Sequence, residues 1–426
     1  MWLIVFQMMI LVVAASISLH LYSPILLKIH WLSFTIVSLI SLTIALIQSR
    51  FNFLQLAALA TLSLTIYIEA SFYYQRHVVL NSPLEVRQQL SQHIILGFKH
   101  YNEVKQLIDD GLLKGVFLTR RNIQGLSLSQ VQSLTHDLRN LPLRWLATDQ
   151  EGGLVQRLSP PLPRQQALHK VVTQAGEEWQ TVVKQYAQQQ GHHLAQLGVN
   201  LNFAPVVDLP PQATFWDQHS LISARVIADD ATKITQVGQA YSTVLLETGV
   251  LPCLKHFPGL GDIHTDTHFF SAELTTPIAD LQAKDWQPFQ QISQQLPVAI
   301  MLGHIKLTEL DQHYPASFSP TVIQFLRDEW QYQGLLITDD FSMFPISANR
   351  LGVGKVALQA LNSGVDLILI AYDYRLFYPM MYQLIRAHQD GRLDLNQLQR
   401  SQDRQQRILG ILDNRVDEKK GLNDSS

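Results

Sequence analysis

Residues 253–268 read CLKHFPGLGDIHTDTH. A short apolar run, 253–257, passes directly into a loop broken by Pro258, Gly259 and Gly261. From Lys255 to His268 the stretch carries His256, His264 and His268, together with Asp262 and Asp266. Ionisable groups at this density are costly to bury and are rarely needed for folding, so the stretch reads as a place where protons or a metal are handled. A strand that delivers such groups at its C-terminal end is the pattern of an α/β barrel, whose site is built there.

The pattern recurs on both sides. Short apolar runs fall at 94–98, 115–118, 144–148, 201–207, 253–257, 298–303, 334–338 and 367–371. Amphipathic helical patterns lie at 127–138, 177–197, 230–248, 321–330, 356–362 and 396–412. Eight strands alternating with helices predict a (β/α)8 TIM-type barrel. An open doubly wound sheet is the competing architecture, but no glycine-rich phosphate fingerprint follows the early strands. Reactive residues repeatedly close these strands: Asp149 the third, Asp208 the fourth, Lys255 and His256 the fifth, His304 the sixth and Asp339 the seventh.

The first 75 residues have a different texture. Three apolar runs, 1–21, 32–47 and 54–74, each approach the roughly 20 residues that cross a bilayer core. Aromatic residues, among them Trp2, Trp31, Tyr67, Phe72, Tyr73 and Tyr74, lie near the run ends, as an interfacial belt would. The division expected is three transmembrane helices over 1–75, a polar connector over 76–90, a catalytic barrel over 91–413 and a disordered tail over 414–426. A buried helical subdomain is the alternative for the first segment. With three spans, Lys28 and Arg76 share a side opposite Arg50, and positive-inside counting then places the barrel in the cytoplasm, on a multi-pass protein of the bacterial inner membrane. The net charge of −3 gives no reason to expect nucleic acid, and the single cysteine, Cys253, cannot form an intrachain disulfide.

Residue types alone leave the chemistry open. Asp339, in GLLITDDFSM, could attack an electrophilic carbon, bind a metal or cap a helix. Asp266 two residues before His268 makes a proton shuttle, because a carboxylate bonded to one ring nitrogen raises the basicity of the other. His256, Asp262, His264, Asp266 and His268 could equally hold zinc or iron, or form a solvated loop. In DQEGG at 149–153 the glycines allow close approach of a ligand to the backbone, and Asp149 could accept hydrogen bonds from hydroxyls or simply form a turn.

Together these pieces resemble the glycoside hydrolase family 3 β-N-acetylhexosaminidases, enzymes that trim N-acetylglucosamine from peptidoglycan fragments. The matching residues are DQEGG at 149–153, VQR at 155–157, NFAPVVDL at 202–209 and IxxR at 222–225. They continue with KHFPGxGD at 255–262, DTH at 266–268, MLGHI at 301–305 and ITDDFSM at 337–343. The resemblance spans roughly 90–413 and leaves the apolar segment outside. It implies a barrel and a retaining, two-step hydrolysis that needs no cofactor or metal. Asp339 would be the nucleophile, and His268, with Asp266 as its partner, the acid/base. Asp149, Arg157, Arg225, Lys255 and His256 would bind the sugar. The chain ends shortly after strand eight and its helix, so the acid/base is expected from the barrel loops. The 259–261 stretch is expected to move His268 in and out of place. Leu154 stands where the family usually has arginine, and Leu260 where it usually has histidine. The substrate expected is a terminal β-linked N-acetylglucosaminide. A metal-dependent hydrolase, a non-catalytic membrane-bound saccharide-binding protein and a phosphorolytic enzyme remain the alternatives.

Overall fold

The structure is a computed structural model, described here for residues 2–19, 30–47, 53–211, 222–263, 272–347, 349, 351–372 and 374–424. Eight parallel strands form its centre: β1 (Ile94–Gly97), β2 (Gly115–Phe117), β3 (Trp145–Thr148), β4 (Leu201–Asn202), β5 (Leu251–Phe257), β6 (Ala299–Leu302), β7 (Leu336–Thr338) and β8 (Ile368–Ile370). Their order in the sheet is β7-β6-β5-β4-β3-β2-β1-β8. A parallel bridge between Ile337 and Leu367 joins the two ends. The sheet is therefore a barrel, closed by a single bridge, and each strand expected from the sequence is present.

Side-chain parity explains the two cores. Ile95, Phe117, Trp145, Ala147, Leu201, Leu251, Cys253, Met301, Ile337 and Leu369 cluster inside the barrel. Their neighbours Ile94, Val116, Leu146, Leu254, Ile300, Leu336 and Ile368 pack outward against the helices. Successive residues of a strand face opposite sides, so both faces must be apolar in a sheet wrapped by helices. The bottom is plugged by the last helix, Leu395–Asp424: Ile408 and Leu412 join the inner cluster, and Trp145 Nε1 donates to Gln405 Oε1 at 3.0 Å.

Several helices start where the sequence supplies caps. The Ser127 side chain accepts from the Gln130 N–H ahead of Leu128–Arg139, Asp230 caps Ala231–Glu247, and Ser319 precedes Pro320 at the start of Pro320–Asp328. Helices at Tyr101–Asp109, Leu168–Ala175, Trp286–Gln295 and Phe377–Gln389 add to those expected. Leu395–Asp424 continues into the stretch expected to be a tail, consistent with its run of Asp, Glu, Lys and Arg, residues compatible with helix.

Ahead of the barrel stand three apolar helices, α1 (Trp2–Leu19), α2 (His30–Ile47) and α3 (Phe53–Leu80). Among the described residues, α3 is long and apolar enough to cross a membrane, whereas the apolar parts of α1 and α2, Ile4–Ser18 and Leu32–Ile47, are shorter. The polar connector expected over 76–90 is mostly helical: α3 runs on to Leu80 and Leu84–Ser91 follows. Val79, Val86 and Leu90 of this stretch are buried in the outer core, which is why it does not behave as a linker.

Candidate active site

Parity carries from the barrel interior into its mouth. Trp145 and Ala147 point inward, and so does the next residue in step, Asp149; Leu251 and Cys253 are followed by Lys255, and Leu335 and Ile337 by Asp339. Three strands thus bring a carboxylate, an ammonium and a second carboxylate to one end of the barrel. The Cys253 thiol lies beneath them. Burial pushes its pKa up, Asp149 and Asp339 push the same way, and Lys255 opposes them.

Lys255 is almost fully buried, and Asp149 and Glu151 satisfy it: Nζ lies 2.5 Å from Asp149 Oδ1 and 2.6 Å from Glu151 Oε1. Arg225 binds Glu151 with both arms of its guanidinium, Nε donating to Oε2 at 2.9 Å and Nη2 to Oε1 at 2.7 Å. Burial works against the Glu151 charge, but Arg225 and Lys255 outweigh it and hold the carboxyl down at about 2. Burial likewise works against the Lys255 charge, and Asp149 and Glu151 together raise its pKa above the usual lysine value. Arg157 stands at the edge of the cluster, Nε 3.8 Å from Asp149 Oδ2.

His256 is set by Asp208, which is wholly buried. The His256 N–H donates to Asp208 Oδ1 at 3.0 Å, and ring Nδ1 lies 2.8 Å from Oδ2. Those partners assign the proton to Nδ1 and turn Nε2 towards Arg225 Nη2, 3.5 Å away. Asn202 supports the β3 loop, accepting from the Gln150 N–H at 2.9 Å and donating to the Gln150 carbonyl at 3.0 Å.

The two aspartates after β7 diverge. Asp339 is half-buried on the inward side, and its Oδ1 accepts from the Asp340 N–H at 2.7 Å. Asp340 turns back into the wall, where Oδ1 accepts from the N–H groups of Ser342 (2.9 Å) and Ala371 (2.8 Å), tying β7 to β8. Burial pushes its carboxyl up to about 6. His304 closes this layer: its Nε2 donates to the Asp340 carbonyl at 3.0 Å, and its Nδ1 lies 2.8 Å from Ser317 Oγ.

Of the site residues expected from the sequence, Asp149, Arg157, Arg225, Lys255 and His256 come together, with Asp339 on the same inward face. Asp266 and His268, with His264, lie outside the described residues. The stretch 259–261, expected to move, is packed. Leu260 is buried in the outer core, Trp286 Nε1 donates to the Pro258 carbonyl at 3.0 Å, and a Cβ at Gly261 would lie 2.6 Å from Asp285 Oδ1. Burial, with Asp262 and Asp208 nearby, pushes the Asp285 carboxyl up to about 7. Leu154, the other departure, is 57% exposed. Asp208, noted in the sequence at the end of the fourth strand without a role, holds His256, and Glu151 is the residue that motif reading passed over. Its basic partners, Arg225 and Lys255, lie far along the chain, so no local pattern marked it.

Residues 85–409 match the model of the glycosyl hydrolase family 3 N terminal domain. The chain belongs to glycosyl hydrolase family 3. The match covers the barrel and leaves α1–α3 outside, and it makes the protein a glycoside hydrolase. Among its relatives, the β-hexosaminidase of Hydrogenovibrio crunogenus is 31% identical over 313 residues, covering 69% of this chain and 85% of its own. The β-hexosaminidase LpqI of Mycobacterium tuberculosis is 29% identical over 297 residues, covering 67% and 73%. A family 3 β-N-acetylglucosaminidase from Paenibacillus sp. str. FPU-7 superposes with a TM-score of 0.70 at 27% identity; the match covers 78% of this chain and 63% of that one.

The charge cluster has a pH signature. Glu151 titrates below its ordinary value of 4.5, so its stabilisation is complete above that pH and is lost as the pH falls towards about 2. Glu151→Gln leaves Arg225 without its carboxylate, and a loss of about 3–5 kcal/mol is expected at neutral pH. In paired thermal melts the gap between wild type and variant is expected to shrink as the pH is lowered from 5 to 2. A gap independent of pH would show that the Glu151 charge does not hold the cluster.

Proposed function

We propose that this hydrolase is a membrane-anchored, retaining exo-β-N-acetylglucosaminidase acting on terminal β-linked N-acetylglucosamine of peptidoglycan-derived saccharides. The observation that supports it most is the convergence of Asp149, Lys255 and Asp339 on the inward face of one barrel end; in the sequence, Lys255 opens the motif that carries Asp266 and His268. The sugar class follows the relatives named as β-hexosaminidases.

In this reading the Asp339 carboxylate attacks the anomeric carbon. The bond to the leaving oxygen breaks with its electron pair, and His268, oriented by Asp266, gives that oxygen its proton. The glycosyl ester on Asp339 is then opened by water, whose proton returns to His268. Two displacements at one carbon retain its configuration. Asp149, Arg157, Lys255 and His256 meet the sugar hydroxyls, and Arg225 lines the same wall. Glu151 and Asp208 hold Arg225, Lys255 and His256 in place as positioning residues.

α1–α3 serve as the membrane anchor, with residues 91–413 as the catalytic unit. Positive-inside counting, with Lys28 and Arg76 on one side against Arg50 on the other, supports a cytoplasmic barrel in this reading.

Asp339→Ala is expected to lower turnover of an aryl N-acetyl-β-glucosaminide by about 10³-fold or more. His268→Ala is expected to lower it by about 10²- to 10⁴-fold, least for leaving groups that need no proton. Near-normal turnover by Asp339→Ala would remove the nucleophile assignment. Activity lost to a chelator and restored by zinc would favour the metal-dependent alternative, a rate that rises with phosphate would favour phosphorolysis, and saccharide binding without turnover would favour the binding protein.

Orientation has its own test. Protease added to intact spheroplasts is expected to spare the barrel until the membrane is opened with detergent. Digestion without detergent would place the barrel outside.

A further inference from the structure

Chain direction fixes which end of the barrel α3 leaves from. Helix Phe377–Gln389 follows β8, so its first turn lies at the mouth and its last at the bottom. α3 packs against it. The Phe72 ring lies 5.8 Å from that of Tyr378 and the Tyr74 ring 6.1 Å from that of Tyr382. The Arg76 guanidinium covers Tyr378 at 5.4 Å. Beyond these contacts the chain goes on to the bottom of the barrel, where Leu84, just after the helix, meets the Gly111 turn below β2, so α3 runs from the mouth side towards the bottom. Residues 53–71 therefore continue past the mouth rather than past the bottom. At about 1.5 Å per residue they extend about 28 Å, close to the roughly 30 Å of a bilayer core.

The anchor's lower end sits at the level of the mouth. Tyr67, Tyr73 and Tyr74 are exposed there, in the place of an interfacial belt. His30, at the start of α2, meets Glu69 of α3 at 2.6 Å, so both helices have a polar end on the barrel side.

A second observation comes from the barrel itself. Among its described residues the large apolar side chains left exposed are Leu84, Leu128, Leu154, Leu351, Tyr372 and Leu395. Singly exposed apolar residues need no explanation, but their placement is uneven. Leu128, Leu154, Leu351 and Tyr372 follow β2, β3, β7 and β8 and so rim the mouth; Leu84 and Leu395 lie at the bottom.

We infer that the mouth of the barrel faces the bilayer, its rim of Leu154, Leu351 and Tyr372 meeting the lipid surface, so that the site takes N-acetylglucosaminides carried on a lipid. This rests on the reading of α1–α3 as a membrane anchor. A substrate held at the bilayer surface then meets the site without leaving the membrane.

The test uses the full chain in phosphatidylcholine–phosphatidylglycerol vesicles. Leu154→Cys, Leu351→Cys, Leu84→Cys and Leu395→Cys are each labelled with an environment-sensitive nitrobenzoxadiazole dye; Cys253 is buried in the barrel and stays unlabelled in the folded protein. An alkaline carbonate wash first reports whether the chain remains in the membrane. If it does, lipids carrying a nitroxide are expected to quench the dye at 154 and 351 at least twofold more than at 84 and 395. Equal quenching at all four sites, or stronger quenching at 84 and 395, overturns the inference while leaving the anchor intact. A chain released by carbonate removes the anchor reading and the inference with it.

Discussion

Burying the Lys255 ammonium at the end of an otherwise apolar strand is the constraint on which the barrel mouth depends. Unpaired, such a charge would cost several kcal/mol. Asp149 and Glu151, at 2.5 and 2.6 Å, make the burial possible, and each is shared with an arginine, Arg157 and Arg225. One lysine thereby ties the ends of β3 and β5 to the segment that carries Arg225. Asp208 does the same for His256 from the loop after β4. The result is a wall of donors held in fixed positions before any ligand arrives, the preorganised arrangement that recognises a hydroxylated ring most cheaply.

Much of this architecture is legible in the sequence because a wrapped parallel sheet has no polar face. Its strands read as short, continuous apolar runs, and all eight stand out. The helices are harder. Trp286–Gln295 carries Pro288 in its first turn and five glutamines, so its apolar stripe of Trp286, Phe289 and Ile292 is thin. Leu84–Ser91 looks polar because only Val86 and Leu90 face the core. The last helix hides its function similarly: Ile408 and Leu412 plug the barrel floor, a role that depends on where the helix ends up rather than on its pattern.

The site shows the same division. Asp149, Lys255 and Asp339 were readable because strand parity and chain order place them. Glu151 was not, because its importance lies in two basic partners distant in the chain. The family resemblance picks Asp339 over Asp340, and the backbone separates the two as well, turning Asp340 to the Ala371 and Ser342 N–H groups and leaving Asp339 in step with Ile337. Leu260 is explained by packing: with Gly259 and Gly261 against Asp285, an apolar side chain there fills the core under the loop.

The most direct measurement is mass spectrometry of the protein after reaction with a 5-fluoro N-acetylglucosaminyl fluoride, which slows release of a covalent intermediate more than its formation. The expected result is one added sugar per chain, mapped to the peptide containing Asp339 and specifically to that residue. A label on Asp340, or turnover of the reagent with no sugar ever attached, would contradict the assignment of Asp339 as the nucleophile.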